Sequence, residues 1–327
     1  MKEGCLMIND NLDILELERH LFSINYTIPT KQILDLKKSV EEWVSRSNCG
    51  AIIYGRPRIG KTRAIKYISD NLRKKYGEEL PIYVFNATSH KVSDKVLYSE
   101  LLKAVGHAEA HKGTASQMKE RLINRMIMDA MDTKYRRVVL FIDEAYLLSE
   151  MDFIWLIDIY NNLNLQDIIF TVLLVGSNEL KQLKNVFVKA KKSQIIGRFM
   201  VDEFNFKGIR TNKDMAICLA SLDKPFKLKG YSSEIILSKL FFPSAYSEGL
   251  SMISFTDNLW TAFMNITSQY NLSNADIPMK FFIDTIIYCL KSYGVYGKSI
   301  KMPTIKEWEE SILKVGFVSA ESVGVFS

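Results

Sequence analysis

The sequence predicts an α/β fold: a mostly parallel sheet flanked by helices, followed by a smaller, helical domain. Three observations predict it. Between residue 46 and about 206, short apolar runs alternate with amphipathic stretches. The first run, "CGAIIY", opens into the Gly-rich stretch "GRPRIGKT". From about Gly208 onward the strand pattern stops and helical spacing takes over. Runs that are apolar at nearly every position belong to strands buried on both faces, as in parallel sheets covered by helices.

Each element follows from local chemistry. Residues 1–45 read as an N-terminal extension, clearest in "TIPTKQILDLKKSVEEWV". There Pro29 stiffens the entry, Thr30 is placed to cap a helix, and Ile33, Leu36, Val40 and Trp43 share one helical face. Residues 46–206 form the α/β domain. Its first strand precedes a helix from Lys61 that buries Ile65, Ile68 and Leu72 and exposes Lys66, Arg73 and Lys74. "PIYVFNA" is a second strand and "SQMKERLINRMIMDAM" a helix. "RRVVLFID" is a third strand, ending in acid, and "FIWLIDIYNNL" a helix. "DIIFTVLLVGS" is a fourth strand and "FMVDEFNF" a candidate fifth. Residues 207–315 form the helical domain, on "TNKDMAICLASL", "SSEIILSKLFF", "TDNLWTAFMNIT" and "PMKFFIDTIIYCLKSYG". Residues 316–327 read as a tail, either frayed or docking on a partner.

A length of 327 residues suits about two domains. Lys and Arg exceed Asp and Glu by 43 to 37, a net +6, which is mildly basic and compatible with an anionic partner. Cys5, Cys49, Cys218 and Cys289 are scattered, without a CxxC pair, so neither a zinc site nor a disulfide framework is expected. No apolar run reaches the ~18 residues of a membrane helix, and the N-terminus lacks the pattern of a signal peptide. A cytoplasmic protein without a membrane partner is expected.

"GRPRIGKT" fits G-x-x-x-x-G-K-[ST], with Gly55, Gly60, Lys61 and Thr62 in the fixed places. The glycines let backbone N–H groups curl around phosphate oxygens, and the helix that starts there points its positive end at the anion. Lys61 is placed to reach the β and γ phosphates, and the Thr62 hydroxyl to ligate Mg2+. The nucleotide-binding residues are expected to be Gly55, Arg58, Ile59, Gly60, Lys61, Thr62 and Arg63. Arg56 and Arg58, in the variable part of the loop, are expected to support it or face a neighbouring subunit. A metal held by phosphates needs a further oxygen ligand, usually at the end of a neighbouring strand. "VVLFIDEA" supplies Asp143 there, and Glu144 follows as a carboxylate able to polarise a water.

These residues resemble the AAA+ ATPases, which implies an AAA+ P-loop NTPase fold with a helical lid. "GRPRIGKT" is similar to their Walker A loop and "LFIDEA" to their Walker B strand. "TVLLVGSNEL" resembles the sensor-1 strand, with Asn178 (or Ser177) at its tip, between the two Walker strands. "QIIGRFM" resembles the box carrying an arginine finger, with Arg198 in that role toward the ATP of a neighbouring subunit. Without the resemblance, Arg198 reads as a solvated surface arginine. Within AAA+, residues 25–290 resemble transposition regulators of the TnsC and TniB type, on "INYTIPT", "YGRPRIGKTRA", "FIDEAYLL", "LLVGSNEL" and "IIGRF". The resemblance implies an ATPase using ATP and Mg2+ that forms a ring or filament on double-stranded DNA. It would link a target-selection protein to a transposase. One position departs from the family: Met279 stands where the lid's sensor-2 arginine is expected. Either Lys280 substitutes or that contact is missing, and slow hydrolysis would follow.

Three further groups of residues were candidates. Basic residues cluster after the second strand, and Lys103, Lys119 and Arg121 are the candidates for sequence-independent phosphate contact. The alternative is an ordinary solvated helix face. No recognition-helix signature supports base-specific reading. His107 and His111 lack a third ligand and read as exposed histidines. Phe241, Phe242, Tyr246, Phe255, Trp260 and Phe263 read as lid core rather than a base-stacking platform. Two other functions stay open on the sequence: a replication-initiator or helicase-loader AAA+, and an ATP-switched scaffold with incidental hydrolysis.

Overall fold

The computed structural model describes residues 14–23, 26–228, 233–272 and 276–322. It divides into two compact units. Lys31–Gly208 form the α/β unit. The segment up to Thr30 and the segment from Ile209 form the helical one.

In the α/β unit, β1 (Gly50–Tyr54), β2 (Ile82–Asn86), β3 (Arg137–Asp143), β4 (Ile169–Gly176) and β5 (Asp202–Asn205) make one sheet in the order β2-β3-β4-β1-β5. All its pairings are parallel. The candidate fifth strand is present, at the sheet edge beside β1.

Successive residues of the central strands feed opposite cores, as a period of two requires. Ala51, Ile53, Val139, Phe141, Leu173 and Val175 pack with the helices Lys31–Ser45 and Lys61–Tyr76. In chain order with the helix Ile14–Phe22 (α1) of the other unit, these two helices are α2 and α3. Ile52, Val138, Leu140, Ile142, Val172 and Leu174 pack on the other face. Their partners there are α4 (Asp94–Ala104), α5 (Ala115–Ala130), α6 (Glu150–Asn164), α7 (Asn178–Lys189) and α8 (Ser193–Phe199). Both faces of the three central strands β1, β3 and β4 are therefore dry, whereas every residue of the edge strand β5 keeps some exposure. Capping boxes at Thr114 and Ser149 fix the starts of α5 and α6.

The helical unit contains α1, α9 (Asn212–Leu222), α10 (Leu237–Phe241), α11 (Pro243–Ser247), α12 (Thr256–Gln269), α13 (Met279–Tyr293), α14 (Ile305–Lys314) and α15 (Phe317–Ser322). Phe241, Phe242, Phe255 and Phe263 are buried in its core with Trp308, as lid-core residues should be. Trp260 is partly buried against the same core, and Tyr246 is half-buried.

Two expected boundaries move. The extension 1–45 is not one element. Leu17, Leu21 and Ile28 are buried in the helical core, whereas α2 belongs to the α/β unit, because Ile33, Leu36, Val40 and Trp43 cover the sheet. The tail 316–327 begins as a docked helix rather than a frayed end. Phe317 is buried against Phe263 and Phe281 of its own chain. Residues 323–327, Ile24 and Asn25 of the lead-in, and Cys5 lie outside the described residues.

Candidate nucleotide site

The sheet edge where the strands end gathers most of the expected site. β1 runs into the phosphate loop, and α3 starts directly after it at Lys61. Arg58 and Gly60 both take left-handed backbone, at φ 62° and 105°, which bends the loop back on itself. Gly55 cannot be replaced without movement: a Cβ there would stand 2.2 Å from the Phe206 carbonyl oxygen. No side chain caps α3, so the N–H groups of its first turn keep their donors for an anion. Ile59 is buried under the loop, Arg58 is exposed and Arg63 is half-buried.

Lys61 lies inside this loop. Its side chain is buried, and its Nζ donates to the carbonyl oxygens of Gly55 and Arg56, both at 2.8 Å. Burial pushes its pKa down to about 8, although the charges of Glu144 and Asp143 act the other way. An ammonium held this way is destabilised until an anion arrives. Phosphate binding must therefore raise that pKa, and binding above pH 8 takes up a proton. The contribution of Lys61 to ATP affinity is expected to be constant below about pH 8. Above it, affinity should fall by up to about tenfold per pH unit, until the pKa of the bound state is reached. Titration calorimetry across that range checks this; a flat profile would contradict it.

Thr62 and Asp143, 81 residues apart in sequence, meet: the Thr62 hydroxyl donates to Asp143 Oδ2 at 2.7 Å. Asp143 is buried at the end of β3, and its other oxygen accepts from the Glu144 backbone N–H at 3.0 Å. A hydroxyl and a carboxylate in contact beside a buried ammonium suit Mg2+ held jointly with phosphate, since that hard cation favours oxygen ligands and keeps several from substrate and water. The donor set fits the metal, which would neutralise phosphate charge.

Glu144 stands at φ 53°, ψ 35°, a left-handed position that costs a non-glycine residue about 1 kcal/mol and that recurs where a side chain must be aimed. Burial, and then the charge of Asp143, raise its carboxyl pKa. Lys61 and a hydrogen bond with Tyr146 act against that. Tyr146 was not anticipated from sequence. Gly176 accommodates it, because a Cβ there would press on the Tyr146 ring and on Leu180 at 3.2 Å.

β4 lies between β1 and β3, so its tip, Ser177 and Asn178, sits between the phosphate loop and the acidic strand end. Ser177 caps α7, accepting from the Glu179 N–H at 3.3 Å, and Asn178 opens the helix.

Arg198 is not brought to this cluster. It sits at the end of α8, and its carbonyl would be 3.1 Å from a Cβ at Gly50, the first residue of β1. Its backbone thus lies where the strands begin, about 13 Å along β1 from the loop. Lys280 is in the helical unit, paired with Asp284 on its own helix at 2.8 Å.

The three candidate DNA contacts all have partners in the chain. Lys103 pairs with Glu100 at 2.5 Å and Lys119 with Asp158. Arg121 donates to the carbonyl oxygens of Glu109, at 2.8 Å, and of Lys112. His111 shares a hydrogen bond with Ser99 and His107 accepts from the Glu109 N–H. Among the described residues no cluster of His, Cys, Asp or Glu forms a metal site, and no helix is long and apolar enough to cross a membrane.

Residues 45–183 match the family model described as AAA domain. The fold is that of an AAA+ P-loop NTPase, with a helical C-terminal region. It is similar to the Aeropyrum pernix ORC1 protein in complex with DNA, at TM-score 0.53 and 15% identity, over 89% of this chain and 66% of that one. It is also similar to Drosophila ORC bound to DNA, at 0.51 and 12%, over 98% and 72%. A third similar structure is Drosophila ORC bound to poly(dA/dT) DNA and Cdc6, at 0.52 and 11%, over 87% and 41%. The chain thus spans just under two thirds of the first of these. No curated protein sequence matches it significantly.

Proposed function

We propose that the chain is an ATP-hydrolysing switch that assembles with copies of itself on duplex DNA. One observation carries the enzymatic part: buried Lys61, and Thr62 bonded to Asp143, form one cluster where β1 and β3 end. On this reading Gly55, Arg58, Ile59, Gly60, Lys61, Thr62 and Arg63 bind ATP, and Thr62 and Asp143 hold Mg2+. Glu144 activates the water, and Asn178 contacts the γ phosphate or that water. The remoteness of Arg198 from its own loop supports its action on the ATP of a neighbouring subunit. The fold likeness to DNA-bound ORC chains and the net positive charge support DNA as the partner. If Lys103, Lys119 and Arg121 contact DNA, phosphates replace their present partners.

The finer reading is regulation of DNA transposition, linking a target-selection protein to a transposase, supported by the resemblance of the five stretches quoted above. A replication-initiator type ATPase is the second reading, favoured by the fold likeness to ORC over most of the chain. Turnover per subunit is expected to rise with protein concentration, and again on adding duplex DNA of any sequence. Turnover independent of dilution would contradict completion by a neighbour. Strong preference for one duplex would favour the initiator type, and negligible turnover with assemblies still forming would favour a scaffold.

A further inference from the structure

The guanidinium of Arg198 is held in an unusual way. Its Nε is buried and has no hydrogen-bond partner. Its Nη1 makes one long bond, 3.5 Å, to the Gln194 carbonyl oxygen in the same helix. No carboxylate pairs with it among the described residues. Its Cζ instead lies 5.4 Å from the centroid of the Tyr160 ring. Tyr160 is near the end of α6, and its hydroxyl accepts from the Cys49 thiol at 3.4 Å, just before β1. Tyr160 therefore touches both Cys49, next to the strand that leads to the chain's own phosphate loop, and Arg198 at the end of α8.

We infer that Tyr160 is a positioning residue that presents Arg198 to the phosphates of a neighbouring copy of this chain. This rests on the reading of Arg198 given under Proposed function. The physical reason is that an arginine meant for an incoming anion needs direction without neutralisation. A carboxylate clamp would fix the guanidinium but cancel its charge and occupy its paired donors. An aromatic face attracts the cation through its quadrupole and leaves the Nη donors for the phosphate. The bond from Cys49 anchors the hydroxyl end of the ring, but the stacking itself needs only the ring.

The test compares Tyr160→Leu, Tyr160→Phe and Arg198→Ala for ATP turnover at assembling concentrations with duplex DNA. Tyr160→Leu should lose kcat by at least tenfold with KM for ATP nearly unchanged. Tyr160→Phe should stay close to wild type, and adding Tyr160→Leu to Arg198→Ala should cost nothing further. Mixing Tyr160→Leu with Glu144→Gln should recover turnover that neither shows alone, because the second variant supplies an intact Arg198 to sites whose Glu144 is intact. A misfolded Tyr160→Leu could not be rescued this way. Normal kcat in Tyr160→Leu while Arg198→Ala is inactive overturns the role of Tyr160 alone. Failure of mixing to rescue a defective Tyr160→Leu also overturns it. Normal kcat in Arg198→Ala overturns both this role and the reading of Arg198.

Discussion

Lys61→Ala is expected to lower ATP affinity by roughly a hundred- to several-thousand-fold while leaving the fold intact. Lys61 is buried and its ammonium is directed only to the carbonyl oxygens of Gly55 and Arg56. On the proposed reading it is the charged partner of the phosphates in the bound state. Removing one member of a desolvated charge pair costs about 3–5 kcal/mol, which corresponds to that loss. In the ligand-free protein its hydrogen bonds go to backbone carbonyls rather than to a carboxylate, and burial disfavours its charge, so its loss should cost the fold little. Thermal melting therefore separates binding from folding: ATP should raise the midpoint of the wild type and not of the variant, with similar midpoints when no nucleotide is added. A variant with wild-type ATP affinity would remove Lys61 from the site.

Glu144→Gln should behave in the opposite way, binding ATP normally but lowering turnover by about 10²–10⁴, the usual range for a lost general base. Gln keeps the size and the acceptor oxygen that face Tyr146, so the left-handed strand end should persist. It cannot take a proton. Burial and the neighbouring charge of Asp143 raise the pKa of the Glu144 carboxyl and make it more basic than a solvated glutamate, which suits it to that task. Trapped ATP should also lengthen the residence of the protein on duplex DNA. Normal turnover in this variant would remove Glu144 as the base.

The sheet was legible because its central strands are buried on both faces, so "AIIY", "VVLFI" and "TVLLV" stand out as apolar runs. The phosphate loop was legible because its residue types stand at fixed spacing; Gly55 has no room for a Cβ, and Gly60 takes a left-handed φ of 105°. Asp143 was readable from its place at the end of an apolar strand, and its contact with Thr62 follows from the sheet order. The split of the N-terminal segment was not readable. Leu17 and Leu21 fall at helical spacing just as Ile33, Leu36 and Val40 do, and spacing does not say which core a helix joins. α14 and α15 escaped notice because their buried residues are few and separated, with Trp308, Ile312 and Phe317 anchoring them. Tyr146 and Tyr160 are single tyrosines without a motif, and only the folded chain places them beside Glu144 and Arg198. The engagement of Lys119 with Asp158 was equally hidden, since the two sit on different helices.

The central claim is that ATP drives copies of this chain to assemble on duplex DNA, each completing its neighbour's site. Electron microscopy of the protein with duplex DNA and a non-hydrolysable ATP analogue tests it most directly. Rings or filaments around the duplex are expected, with Arg198 of one subunit at the phosphate loop of the next. Single subunits on DNA, or an assembly that leaves Arg198 away from every nucleotide, would contradict it.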